Sequence, residues 1–101
     1  MAPKIRILLI EDHPLFREGL KTIIVQNIRF EVVGEAGTAG QGLQMVRELK
    51  PDLILMDLSL PDQSGIELIR AIHHFSSEIR MMVVSMHSKI KHFSPALPAI
   101  W

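Results

Sequence analysis

PDLILMDLSLPDQSGIELI, residues 51–69, changes character twice along its length. DLILM (52–56) is a short, continuous apolar run, which is how a strand buried on both faces reads. Asp57 carries a charge straight out of that run, and LSLPDQSG (58–65) follows with the proline, aspartate, serine and glycine of a loop. Leu68, Ile69, Ile72 and Phe75 then fall at helical spacing. A buried strand, a loop bearing a carboxylate and an amphipathic helix are therefore expected in that order.

The same grammar repeats on both sides. KIRILLI (4–10), EVVGEA (31–36) and RMMVVS (80–85) are further strand candidates rich in branched aliphatics. Between them, Phe16, Leu20, Ile23, Ile24 and Asn27 mark one helix, and Ala39, Leu43, Val46 and Leu49 another. Asp12 or His13 before Pro14 suits the start of the first helix, Thr38 can cap the second, and Pro51 closes it. Parallel strands separated by helices need right-handed crossovers, which put helices on both faces of an open sheet. The reading is a doubly wound α/β domain with a parallel sheet.

Its 101 residues make one domain, since folding at this size can bury roughly 65% of the unfolded chain's surface. Hydrophobic residues at 48%, charged ones at 22% and a mean hydropathy of +0.24 exclude intrinsic disorder. Eleven Lys and Arg offset eleven Asp and Glu, so nothing favours direct binding to nucleic acid or to an anionic membrane. The absence of cysteine excludes disulfides and thiolate zinc sites. Ile7–Ile10 is too short for the core of a signal peptide, no apolar stretch could span a bilayer, and a cytoplasmic location is expected.

Residues just past the C-terminal ends of parallel strands gather along one sheet edge, where doubly wound folds bind ligands. Glu11 and Asp12 follow the first strand, Asp57 the third, and Ser85 ends the fourth. Adjacent first and third strands would bring three carboxylates together. Like charges at such range repel, and an all-oxygen donor set suits Mg²⁺ better than zinc.

With ILLIEDHPLFREGL, PDLILMDLSLPDQSGIELI and VVSMHSK in order, the sequence resembles the receiver domain of two-component response regulators across roughly residues 4–90. The EDHPLFREGL stretch is most similar to the LuxR/NarL-type subfamily, whose full-length members carry a C-terminal helix-turn-helix. The resemblance implies a flavodoxin-like (CheY-like) fold with strand order 2-1-3-4-5. It implies that Asp57 accepts a phosphoryl group from a histidine kinase, that Glu11 and Asp12 help hold Mg²⁺ with Asp12 a direct ligand, and that Ser59 adds its backbone carbonyl. Ser85 matches the switch hydroxyl that turns to the phosphoryl group, and His87 the position that tunes its lifetime. Such a domain is no enzyme beyond its own phosphorylation and dephosphorylation, and in a full-length parent it would regulate transcription.

The chain departs from that pattern after about residue 90. Residues 86–101 leave room for a helix and a tail but not for a fifth strand with its last helix, and the family's lysine would fall near or beyond Trp101. Lys89 and Lys91 come too early to replace it and are expected on a solvated fourth helix. Residues 1–90 thus read as an incomplete receiver domain and 91–101 as an atypical tail with Pro95 and Pro98. Loss of the fifth strand would leave the edge of strand four unpaired. A homo-oligomer is expected across that edge or by C-terminal exchange, burying Phe93, Leu97, Ile100 and Trp101.

Other signals are weaker. The glycines at 34, 37, 40 and 42 match no nucleotide-binding spacing and read as turns and close packing. His73 and His74 are expected on the surface, and Met56, Met81 and Met82 in the core. Ser64-Gly65 lacks a nucleophile elbow. The principal rival is a catalytically idle, receiver-like interaction or dimerisation module. A Mg²⁺-dependent phosphohydrolase is disfavoured because Ser59 stands where a general acid would be needed.

Overall fold

A computed structural model describes residues 3–84 and the backbone of 90–93. The elements in chain order are β1 (Ile5–Ile10), α1 (Pro14–Val25), β2 (Phe30–Ala36), α2 (Ala39–Leu49), β3 (Leu53–Met56), α3 (Gly65–Phe75), β4 (Arg80–Val84) and β5 (Ile90–Phe93). They build one sheet in the order β2-β1-β3-β4-β5. The first four strands are parallel, as expected.

Side chains of the central strands alternate between two cores, the period-two consequence of the pleat. Leu8 and Ile10 of β1, Ile54 and Met56 of β3, and Met81 and Val83 of β4 point to one face. There α2 and α3 cover them with Val46, Leu68 and Ile72. Ile7, Leu9 and Leu55 point to the other face, where α1 contributes Ile24, Phe16 and Leu20. Ile23, expected on the buried stripe of α1, is instead exposed. The stripe of this helix is narrow because α1 meets the sheet alone among the described elements of that face. A cavity of about 870 Å³ lined by Ile5, Leu53, Phe75 and Met82 lies at the sheet edge opposite Glu11 and Asp57.

The helix ends follow the expected chemistry. His13 is the N-cap of α1 with Pro14 in the first turn, although its side chain makes no capping bond. Thr38 accepts a hydrogen bond from the Gln41 amide at 3.1 Å. Lys50 ends α2 in the left-handed region (φ 48°), a conformation that stops the helix, and Pro51 follows it. Gly42 lets α2 lie on β1, since a Cβ there would stand 2.6 Å from Ile10 Cδ1.

The parallel sheet stops at four strands, and neither the family's parallel fifth strand nor its last helix occurs among the described residues. The edge of β4, expected to be open, is paired antiparallel with β5, Val84 facing Ile90 and Met81 facing Phe93. Only residues 85–89 separate the two strands, too few for a crossover, which takes a dozen residues or more, but enough for an antiparallel return. For the same reason Lys91, expected on a fourth helix, lies on β5 opposite Val83. Lys89 and residues 94–101, including Leu97, Ile100 and Trp101, fall outside the described residues, as does the side chain of Phe93.

Candidate functional site

The C-terminal edge of the parallel sheet is where the acidic residues meet. Past the end of β1, the Glu11 amide donates to the Ala36 carbonyl at 2.9 Å, and past the end of β3 the Asp57 amide donates to the Ile10 carbonyl at 3.0 Å. The ladders thus run one residue beyond the strands and hold Glu11 and Asp57 side by side. Glu11, Asp12, His13 and Asp57 offer ligand atoms all within 4.8 Å of one another. Glu11 and Asp57 are buried, Asp12 is partly buried, and His13 is about half exposed.

Burial, together with the neighbouring Asp57 carboxylate, pushes the Glu11 carboxyl up to about 7, while His13 acts in the opposite direction. His13 Nδ1 lies 3.1 Å from Glu11 Oε1, 3.1 Å from Asp12 Oδ1 and 4.0 Å from Asp57 Oδ2. Glu11 Oε2 and Asp12 Oδ1 are nonetheless buried without a hydrogen-bond partner. Buried carboxylate oxygens left in that condition are costly, and a cation shared among them removes the cost. Three converging carboxylates, two of them with unsatisfied oxygens, fit a hard divalent ion such as Mg²⁺.

Two further contacts position the site. Arg17, one turn into α1, donates from Nη1 to the Glu11 carbonyl at 2.6 Å and pairs through Nε with Glu35 at 3.3 Å. Lys21 joins Glu35 at 3.1 Å, so the base of the acidic pair is tied to both α1 and β2. On the other side, the loop after Asp57 is pinned to the start of α2: Asp62 accepts from the amides of Ala39 at 2.8 Å and Gly40 at 2.9 Å. Those bonds hold the Asp62 carboxyl below its usual range.

Of the residues expected at the site, Glu11, Asp12 and Asp57 converge. Ser59 is adjacent, its amide donating to Asp57 Oδ1 at 3.0 Å. Ser85 and His87 lie outside the described residues. His73 and His74 are exposed, and Met56 and Met81 are in the core. The sequence reading treated His13 only as a possible helix cap and passed over Arg17 and Asp62. A signal for the first two was present in EDHPLFR, where His13 adjoins the acidic pair and Arg17 follows four residues later, on the same side of a helix. Nothing local marked Asp62.

The family model described as the response regulator receiver domain matches residues 7–99. The transcriptional regulatory protein MctR of Rhizobium johnstonii is 38% identical over 95 residues, covering 94% of this chain and 44% of that protein. The nitrate/nitrite response regulator protein NarL of Escherichia coli is 41% identical over 80 residues, covering 79% and 37%. Among solved structures, a LuxR-family two-component response regulator from an Aurantimonas species superposes with a TM-score of 0.79 at 39% identity, over 84% of this chain and 61% of that one. The signal receiver domain of NarL from Mycobacterium tuberculosis gives 0.80 at 30% identity, over 87% and 71%. The chain spans less than half the length of the curated relatives it matches.

Proposed function

Because the chain belongs to the response regulator receiver domain family, in its NarL/LuxR-type branch, we propose that Asp57 accepts a phosphoryl group from a histidine kinase in a Mg²⁺-dependent transfer. The observation that carries this reading is the Asp57 carboxylate, buried at the sheet edge within 4.8 Å of Glu11 and Asp12. Glu11, Asp12, Asp57 and the backbone carbonyl of Ser59 would hold the metal, whose charge neutralises the phosphoryl oxygens when it is bound.

The chain's own residues align the nucleophile. The Ser59 amide donates to Asp57 Oδ1 and so orients the carboxylate that attacks phosphorus. The bond to the phosphohistidine nitrogen breaks, that nitrogen keeps the electron pair, and Asp57 becomes an acyl phosphate. Ser85 would then donate its hydroxyl to a phosphoryl oxygen, with His87 beside the path of the hydrolytic water. In this reading the domain does no catalysis beyond its own phosphorylation and dephosphorylation.

Curated relatives are named transcriptional regulatory proteins, which supports regulation of transcription by a longer parent through a separate DNA-binding domain. The neutral net charge supports no direct nucleic-acid contact by this stretch. No helix among the described residues is long and apolar enough to cross a membrane, and a cytoplasmic site of action belongs to the same reading. Residues 1–90 form the phosphoacceptor unit and 91–101 the atypical tail. A homo-oligomer formed by exchange of the C-terminal segment completes the proposal. An idle interaction module is not favoured, because a domain with no use for cations has no need of three converging carboxylates.

Incubation with acetyl phosphate and Mg²⁺, followed by intact-mass measurement, tests the central claim. A phosphoryl adduct on the wild type that Asp57→Asn abolishes is expected. A persistent adduct in the variant, or one mapped to serine or histidine, overturns it.

A further inference from the structure

His13 stands among the carboxylates as a nitrogen donor, and this gives the pocket a chemistry that an all-oxygen site lacks. We propose that His13 Nδ1 is itself a metal ligand, so that the pocket takes an imidazole-accepting divalent transition metal as well as Mg²⁺. The inference rests on the metal-pocket reading above and deepens it.

The geometry carries it. Donors about 2.1 Å from one ion stand ~3.0 Å apart on adjacent corners of an octahedron and ~4.2 Å apart on opposite corners. His13 Nδ1 is 3.1 Å from Glu11 Oε1, 3.1 Å from Asp12 Oδ1 and 4.0 Å from Asp57 Oδ2. The imidazole therefore already occupies a position adjacent to two of the carboxylates and nearly opposite the third. Glu11 is 2% exposed, and its Oε2 has no hydrogen-bond partner, so the cavity holds a buried acceptor that these contacts do not satisfy.

The imidazole is not committed elsewhere by the helix it begins. As N-cap of α1 its side chain makes no capping bond, whereas its backbone is held by the Arg17 amide donating to its carbonyl at 2.9 Å. An anchored backbone, a ring nitrogen whose hydrogen-bond partner is the Glu11 carboxylate of the pocket itself, and carboxylates at ligand-edge distances are what a preformed mixed site requires. Carboxylate oxygens suit Mg²⁺ and Mn²⁺, and adding an imidazole shifts preference toward Co²⁺, Ni²⁺ and Zn²⁺. In the bound form Nδ1 gives its lone pair to the metal and the ring proton sits on Nε2.

The test titrates the wild-type chain, His13→Ala and Asp12→Asn separately with Co²⁺ and with Mg²⁺. Co²⁺ binding is read from visible absorption and from hyperfine-shifted proton resonances, and Mg²⁺ binding from amide shifts. The expected result is a loss of at least roughly tenfold in Co²⁺ affinity for His13→Ala, with Mg²⁺ affinity unchanged or higher. A shifted, exchangeable imidazole N–H resonance should appear in the wild-type Co²⁺ complex and vanish in that variant. His13 is half exposed and makes no cap bond, so the substitution leaves the fold intact, which circular dichroism verifies. Equal Co²⁺ affinity in wild type and His13→Ala, or a drop in affinity without the imidazole resonance, overturns ligation by His13 while leaving the Mg²⁺ pocket standing. Failure of the wild type to bind either ion overturns both.

Discussion

The backbone amide of Asp57 donates to the carbonyl of Ile10 at 3.0 Å, one residue beyond the last paired residues of β3 and β1. That single bond makes the acidic site a product of strand pairing. Ile10 is followed directly by Glu11 and Asp12, so whatever keeps β1 and β3 in register also keeps the carboxylates within reach of one cation.

Metal binding should follow from that register. Mg²⁺ titration is expected to move the amide resonances of residues 11–13 and 57–60, with a midpoint on the order of millimolar because Mg²⁺ gives up its hydration waters reluctantly. Asp12→Asn should abolish the response. Unmoved resonances in the wild type would count against the pocket.

Glu11 predicts a pH dependence of stability in chelator-treated protein. Its carboxyl ordinarily titrates near 4.5 and is raised to about 7 in the fold, first by burial and then by Asp57. Below pH 4.5 both states hold the proton and the contribution is complete. Between 4.5 and about 7 the unfolded state releases its proton first, so stability falls as pH rises and levels off above that. Urea midpoints at pH 5 and pH 8 should differ more for the wild type than for Glu11→Gln, and equal differences would refute the assignment.

The loop that carries the site's far wall depends on Gly65. A Cβ there would stand 2.6 Å from the backbone Cα of Leu58 and 2.8 Å from its side chain, and the Gly65 amide bonds the Leu58 carbonyl at 3.0 Å. Backbone cannot rotate aside as a side chain can. Gly65→Ala should cost about 1–3 kcal/mol in chemical denaturation and displace the amide resonances of residues 57–60. A neutral effect would show that the loop yields freely.

Association is the fourth expectation. With β5 covering β4, association is expected to proceed by exchange of the C-terminal segment with a second copy. Light scattering at micromolar concentration should report a dimer or larger species, with the fluorescence of Trp101 shifted toward that of a buried indole. A monomer whose Trp101 is exposed to solvent would remove the proposal.

Strand and helix order was readable from the chain because both are local. The apolar runs at 4–10 and 52–56 and the spacing of Leu43, Val46 and Leu49 report burial at fixed periods, and Thr38 marks a helix start within three residues. The convergence of Glu11, Asp12 and Asp57 could also be anticipated, because parallel strands must end on the same edge. His13 at 3.1 Å from two carboxylates, Arg17 on the Glu11 carbonyl and Asp62 on the amides of Ala39 and Gly40 were decided by tertiary structure. Each is a directional contact whose existence depends on how one element is turned against another, and hydrophobic periodicity specifies which face of a helix is buried without specifying where the polar groups at its ends will point. The antiparallel β5 belongs with them: its partner is β4 because the short 85–89 connection leaves no other edge within reach, a constraint of chain length and sheet geometry rather than of residue type.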